Sequence, residues 1–241
     1  MNKINKSDQN LKIEPLVEKL AVQLHFDPVY PELFSEALVH SSYSHEHGIP
    51  DNERLEFLGD SVLSLITTTF LYKNYPDYRE GDLAKLKSII VSAQALAELA
   101  KQLRLDSYIK LGAGESRSNG RAKPNILADL FEAFIGAYYL NFGLEQTTAL
   151  VEPLIKKNLS EFNRQFTLLN AKNELQELAQ SKGLFPKYRT VKEEGPPHQR
   201  RFTVEVLIND RQIGVGEGKS LKEAQNNAAL AALSKFNRDK R

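Results

Sequence analysis

After Phe166 the apolar residues of this chain change their spacing, from the mixed three- and four-residue steps of helices to the strict alternation of a strand. Ile13, Leu16, Val17, Leu20, Ala21 and Leu24 open the first regime as one face of an amphipathic helix. Phe202, Val204, Val206 and Ile208 carry the second, a half-buried strand. A pattern of one period does not settle in the other conformation. The 241 residues therefore require a helical part followed by a smaller mixed one.

Within the helical part, Asn52 is placed to cap a helix that runs to about Lys73 and stops at Asn74-Tyr75-Pro76. Gly81-Asp82 opens the next. There Leu83, Leu86, Ile90, Ala93, Ala97 and Ala100 step close to a heptad and predict one long helix. Gly112 to Lys123, with Arg117, Arg121 and Lys123 among its glycines, reads as a basic loop. Pro124 starts a helix reaching about Asn141, and a last one runs from Leu144 to near Phe162, kinked or restarted at Pro153. Residues 163–169 read as a linker between domains at 12–162 and 170–239.

The second domain has the order α-β-β-β-α. A helix over 171–182 places Leu175, Leu178 and Ala179 on one face. Strands over 186–194, 202–208 and 211–218 follow, the last two joined by Asn209-Asp210. Ser220 caps a closing helix that turns Ala224, Ala228, Ala232, Leu233 and Phe236 inward.

The absence of cysteine excludes disulfides, zinc fingers and thiol nucleophiles, so a metal would be held by carboxylates, carbonyls, water or the five histidines. No apolar run approaches the roughly 20 residues that span a bilayer, and Met1 to Asn10 lacks a signal-peptide core, so a cytoplasmic protein without a membrane partner is expected. The net charge of +1 conceals an asymmetry. Residues 170–241 hold 14 Lys and Arg against 9 Asp and Glu, and the rest holds 18 against 22. Such a division suits polyanion binding in one part and cation binding in the other, unless it is an uneven scatter of surface charge.

The acids concentrate on two helices. Glu53, Glu56 and Asp60 stand at i, i+3 and i+7, so their carboxylates share a face. Asp129 and Glu132 repeat the i, i+3 spacing among Leu127, Phe131, Phe134 and Ile135. Each face could simply be the solvent side of its helix. Brought together, they would form an all-oxygen site suited to Mg²⁺ or Mn²⁺ better than to zinc. Two such ions can activate water and neutralise the leaving oxygen of a phosphodiester. Gly59 favours that reading, because a glycine inside a helix costs about 1 kcal/mol relative to alanine and invites a close packing or ligand reason.

Asn52-Glu-Arg-Leu-Glu-Phe-Leu-Gly-Asp-Ser61 resembles the signature of the ribonuclease III family. His40-Ser-Ser-Tyr43, Glu80-Gly-Asp82 and Ile126-Leu-Ala-Asp-Leu-Phe-Glu-Ala133 match further motifs in that family's order. The resemblance covers nearly the whole chain and implies the all-α ribonuclease III endonuclease fold followed by a small α+β double-stranded-RNA-binding fold. It implies an endoribonuclease that cuts double-stranded RNA by Mg²⁺-assisted water attack, Mn²⁺ substituting, and leaves 5′-phosphates, 3′-hydroxyls and short 3′ overhangs. By the same resemblance Asp60 and Glu132 are the catalytic pair, Glu56, Asp129 and Glu132 hold metal, and Glu53 and Glu80 are supporting acids. A homodimer, RNA rather than DNA as partner, and processing of ribosomal, messenger and transfer RNA precursors are also implied. Ser42 departs from an arginine common in the family, and Ser116 from a frequent acid.

The C-terminal part is similar to a double-stranded-RNA-binding domain, which reads shape, 2′-hydroxyls and phosphates. Gln176 and Glu177 would enter a minor groove, and His198 at the tip of Gly195-Pro-Pro-His198 would probe the next. Lys219, Ser220 and Lys222 at a helix N-terminus would meet phosphates. Leu221 and Gln225 stand where the family often carries basic residues. Arg117, Arg121 and Lys123 are candidates to hold RNA near the cut, or an ordinary surface loop. His25, His45 and His47 read as non-catalytic. The alternative function is a catalytically inactive regulator that binds double-stranded RNA. Such a protein would be expected to have lost an acid, and all six are present.

Overall fold

The computed structural model describes residues 15–196 and 199–235 with their side chains, and the backbone on to Arg238. Ile13, His198 and the Phe236 side chain lie outside the described residues. The chain divides into two compact units, residues 1–159 and 160–241.

The first unit is helical. α1 (Pro15–Leu24) buries Val17, Leu20 and Ala21 as its periodicity predicts. α2 (Pro31–Ala37) and α3 (Ser41–His47) are seven residues each, too few to show a period in the sequence. α4 (Glu53–Asn74) ends where Asn74-Tyr75-Pro76 predicts. Its start differs from expectation in chemistry, because the Asn52 side chain caps nothing. Instead Asn52 is buried, its Nδ2 donates to the Ala37 carbonyl at 3.4 Å, and its N–H donates to the Val39 carbonyl at 2.9 Å. The residue ties α4 to the segment between α2 and α3.

The single long helix expected from Gly81 is two: α5 (Glu80–Ile90) and α6 (Ala93–Gln102). Between them Val91 leaves helical geometry, and the Ser92 hydroxyl accepts the Ala95 N–H at 3.3 Å. Leu86, Ile90, Ala97 and Ala100 are all buried, so the heptad-like spacing records two helices packing into one core. The stretch read as a basic loop holds a short α7 (Ala113–Arg117) and a 3₁₀ turn at Gly120–Ala122. α8 (Pro124–Gln180) is interrupted at Gly143, where φ is 78° and ψ 178°, and does not restart at Pro153. Phe26, Phe34, Phe134, Tyr138 and Phe142 pack ring against ring across the junction of α2 with α8.

In the second unit, residues 163–169 are helical, and Ala171, Leu175 and Ala179 face a core. β1 (Lys187–Glu194), β2 (Arg201–Ile208) and β3 (Arg211–Gly218) form an antiparallel sheet in that order. Val204 pairs with Thr190 and Gly216, and Val206 with Tyr188 and Gly214. Asn209 and Asp210, at φ 50° and 60°, make the two-residue turn between β2 and β3. α9 (Leu221–Arg238) lays Ala224, Ala228 and Ala232 on the sheet. It approaches so closely that a Cβ on Gly216 would lie 2.1 Å from the Ala228 nitrogen. The predicted class, helical domain then α-β-β-β-α, is the one observed. Among the described residues no helix is long and apolar enough to cross a membrane.

Candidate functional site

Two glycines set the site. Where α4 crosses α8, a Cβ on Gly59 would lie 1.8 Å from the Glu132 carbonyl oxygen, and one on Gly136 would lie 2.3 Å from that of Leu55. Backbone therefore touches backbone, closer than a pair of helices separated by side chains. Glu56 lies one turn before Gly59, and Glu132 one turn before Gly136, so both acids project at the crossing. One carboxylate oxygen each from Glu56, Asp129 and Glu132 lie within 4.8 Å of one another.

Gathering these acids is electrostatically costly. Burial pushes Glu132 up to about 7, helped by the charges of Asp60, Glu56 and Asp129. Glu56 is raised by burial, then by Asp129, Glu53, Asp51 and Asp60. Asp129 is raised by burial, against the opposing field of His40 and its own backbone. A divalent cation would reverse this cost, since each acid would then gain by ionising. Oxygens sharing a Mg²⁺ at about 2.1 Å stand at most about 4.2 Å apart, so these three fit such an ion with small movements. The donor set is all oxygen, as a hard cation requires.

The remaining predicted acids are placed differently. Asp60 is exposed, outside the three-acid group but within reach of Glu132 by its field. Glu53 is exposed and lines a recess of about 730 Å³ with Leu33, Glu36, Arg54, Phe57, Leu58 and Leu140. Glu80 lies at the far end of α4, beside Thr68, Leu71 and Tyr72. Thr68 is twelve residues beyond Glu56, about 18 Å along a helix. Within one chain Glu80 is not brought to the cluster.

Of the basic residues read as a loop, Lys123 pairs with Glu115 at 2.6 Å and Arg121 donates to the Asp106 carbonyl at 2.8 Å, while Arg117 is exposed. In the second unit Gln176 and Glu177 are exposed, opposite the buried Ala171, Leu175 and Ala179. Lys219, Ser220 and Lys222 are exposed at the start of α9. The Ser220 hydroxyl accepts the Glu223 N–H at 3.2 Å, and the Glu223 carboxylate accepts the Lys219 N–H at 2.8 Å. Gln225 accepts from Lys172 Nζ at 2.7 Å, which stations a positive charge where that side chain lacks one.

Sequence reasoning missed Gly136, which carried the same signal as Gly59, a glycine within a helix and one turn beyond an acid.

A helical unit that gathers acids at one crossing, joined in the chain to an α-β-β-β-α unit with lysines at its last helix, defines a nuclease linked to a double-stranded-RNA-binding module. Residues 30–159 match the Ribonuclease-III-like family model, and residues 171–236 match the double-stranded RNA binding motif. Ribonuclease 3 of Natranaerobius thermophilus is 43% identical over 229 residues, 94% of this chain and 97% of that one. Ribonuclease 3 of Thermobifida fusca is 44% identical over 206 residues, 85% of each. The solved nuclease domain of ribonuclease III from Campylobacter jejuni matches with 37% identity and a TM-score of 0.55, over 59% of this chain and 97% of that domain. The chain belongs to the ribonuclease III family.

Proposed function

We infer that this chain is a divalent-metal-dependent endoribonuclease that cuts double-stranded RNA, with Glu56, Asp129 and Glu132 holding Mg²⁺ and Asp60 and Glu132 as the catalytic pair. The observation that carries the reading is the approach of carboxylates from two helices to within 4.8 Å. Bound Mg²⁺ supplies charge neutralisation and a water acidic enough to attack near neutral pH. Glu56, Asp129 and Glu132 would hold the ion, and the proposed reaction is a hydrolysis that leaves a 3′-hydroxyl and a 5′-phosphate. Asp60 on α4 and Glu132 on α8, which feel each other's charge, are the proposed catalytic pair. Gln176, Glu177, His198, Lys219, Ser220 and Lys222 are proposed to hold the duplex by groove and phosphate contacts, with Arg117, Arg121 and Lys123 as further contacts nearer the cut.

A homodimer belongs to the same proposal. Phe57 is 78% exposed, one residue from Glu56, and stands beside the recess formed with Leu33, Leu58 and Leu140. A protruding aromatic next to a partly apolar recess on the same face suits a two-fold interface, where each copy offers both parts. The solved Campylobacter jejuni nuclease domain is described as having a region involved in dimer formation. Such a pairing is also the route by which Glu80 could serve a cut site, since its own chain leaves it remote. Cytoplasmic processing of ribosomal RNA precursors is the proposed setting.

Incubation of the purified chain with long duplex RNA, single-stranded RNA and duplex DNA, with and without Mg²⁺, tests the function. Mg²⁺-dependent cutting of the duplex RNA alone, with 5′-phosphate ends, is expected. Binding without cutting at any Mg²⁺ concentration would replace the enzyme by an RNA-binding regulator.

A further inference from the structure

Lys172 stands between the two groups of residues proposed to hold the duplex. On α8 it lies one turn before Gln176, so the two side chains share a face of the helix. Its Nζ donates to Gln225 Oε1 at 2.7 Å. Gln225 lies three residues beyond Lys222 on α9, again on one face. The ammonium therefore joins the Gln176 side of one helix to the Lys222 side of the other.

What holds this ammonium is neutral. Besides Gln225, its neighbour is the ring of Tyr188, whose centroid lies 4.9 Å from Nζ. Tyr188 is fixed in turn, paired with Val206 in the sheet and packed against the core of the second unit. An amide oxygen and an aromatic face orient a cation without cancelling its charge. Lys123 is matched by Glu115 and Lys156 by Glu152, but among the described residues no carboxylate pairs with Lys172. The side chain is half-buried. A cation partly withdrawn from water with no counter-ion carries a cost that an incoming anion offsets. Gln225 takes one of its three N–H groups and the ring covers a second side, which leaves a donor for an oxyanion.

We propose that Lys172 is a phosphate-binding residue for duplex RNA, its ammonium steered by Gln225 and Tyr188 into the span between Gln176 and Lys222. The ligand follows from the place. Between an amide that enters a groove and lysines that meet phosphates, the group running past is the sugar–phosphate backbone. The proposal rests on the RNA-holding reading of α8 and α9 above, and deepens it by adding a contact from the junction of the two helices.

Fluorescence anisotropy of the full-length protein with a long duplex RNA in EDTA, measured over a salt series, tests it. Lys172→Gln removes the charge and keeps a polar group able to meet Gln225. It is expected to weaken binding by about 10-fold, the size of one charge-assisted contact. The slope of log affinity against log salt is expected to fall by about 1. Exchanging the pair, Lys172→Gln with Gln225→Lys, returns an ammonium to the same junction from the other helix and is expected to recover most of both losses. A Lys172→Gln protein with wild-type affinity and slope would overturn the proposal alone. So would weaker binding with an unchanged slope, which would make Lys172 a prop of the fold, or an exchanged pair that recovers neither. Wild-type protein that binds no duplex RNA would overturn the RNA-holding reading itself and the proposal with it.

Discussion

Gly59 lies against the backbone of Glu132 with no room between them for a methyl group. The atom in the way is a carbonyl oxygen within a helix, which cannot swing aside as a side-chain end could. Gly59→Ala therefore forces α4 and α8 apart at the point where their acids meet. Overpacking of this kind costs about 1–3 kcal/mol. Displacing reactive groups by about 1 Å can cost roughly 100-fold in rate. Duplex cleavage by Gly59→Ala is expected to fall by about that factor while gel-shift affinity for duplex RNA, carried by the other unit, stays near wild type.

The raised pKa of Glu132 predicts a pH signature. Its folded value, about 7, lies above the ordinary 4.5, so the fold favours the protonated acid. The corresponding stability is complete below about pH 4.5 and is lost as pH rises through about 7. Metal-free protein should unfold at progressively lower temperature from about pH 5 to about pH 8, and Mn²⁺ should restore the loss most at the alkaline end. Thermal unfolding with EDTA or Mn²⁺ across that range checks the sign. A metal-free stability that rises over the same interval would contradict it.

Because Phe57 is so exposed in one chain, its replacement should leave the monomer's fold intact and act on association. Phe57→Asp is expected to weaken dimerisation by at least about 10-fold, the size of a buried aromatic anchor. Sedimentation equilibrium measures it, and an unchanged association constant would remove Phe57 from the interface.

Lys222 sits exposed at the N-terminus of α9, beside amides that already point outward. Reversing its charge should weaken binding to duplexes of any sequence and reduce the slope of log affinity against log salt by about 1. Titrations of two unrelated duplexes at several salt concentrations test both parts.

Much of this molecule was legible in its residues, and the exceptions have physical causes. α4 and β2 were clear because their apolar periods run long enough to be counted, whereas β1, exposed at all but Tyr188, has no such alternation. α2 and α3 were not, because seven residues cannot show a period and their starts rest on Pro31 and the His40 ring rather than a Ser or Asp cap. α5 and α6 imitated one helix because both feed the same core with steps of three and four. Asn52 looked like a cap from its position alone, whereas its side chain turns inward to Ala37, a contact fifteen residues back that no local pattern reveals. The acids were found by spacing within each helix. What spacing could not show was that two separate helices would meet, or that Glu80 would stand at the far end of α4.

The central claim is that the acids of α4 and α8 act as one centre for cutting, separate from the surface that holds RNA. Its most direct test is Glu132→Gln, which removes the ionisable group while keeping its size, assayed for duplex binding and duplex cleavage on the same preparation. The account predicts wild-type affinity in the gel shift with cleavage lost at saturating Mg²⁺. Cleavage at the wild-type rate would contradict it.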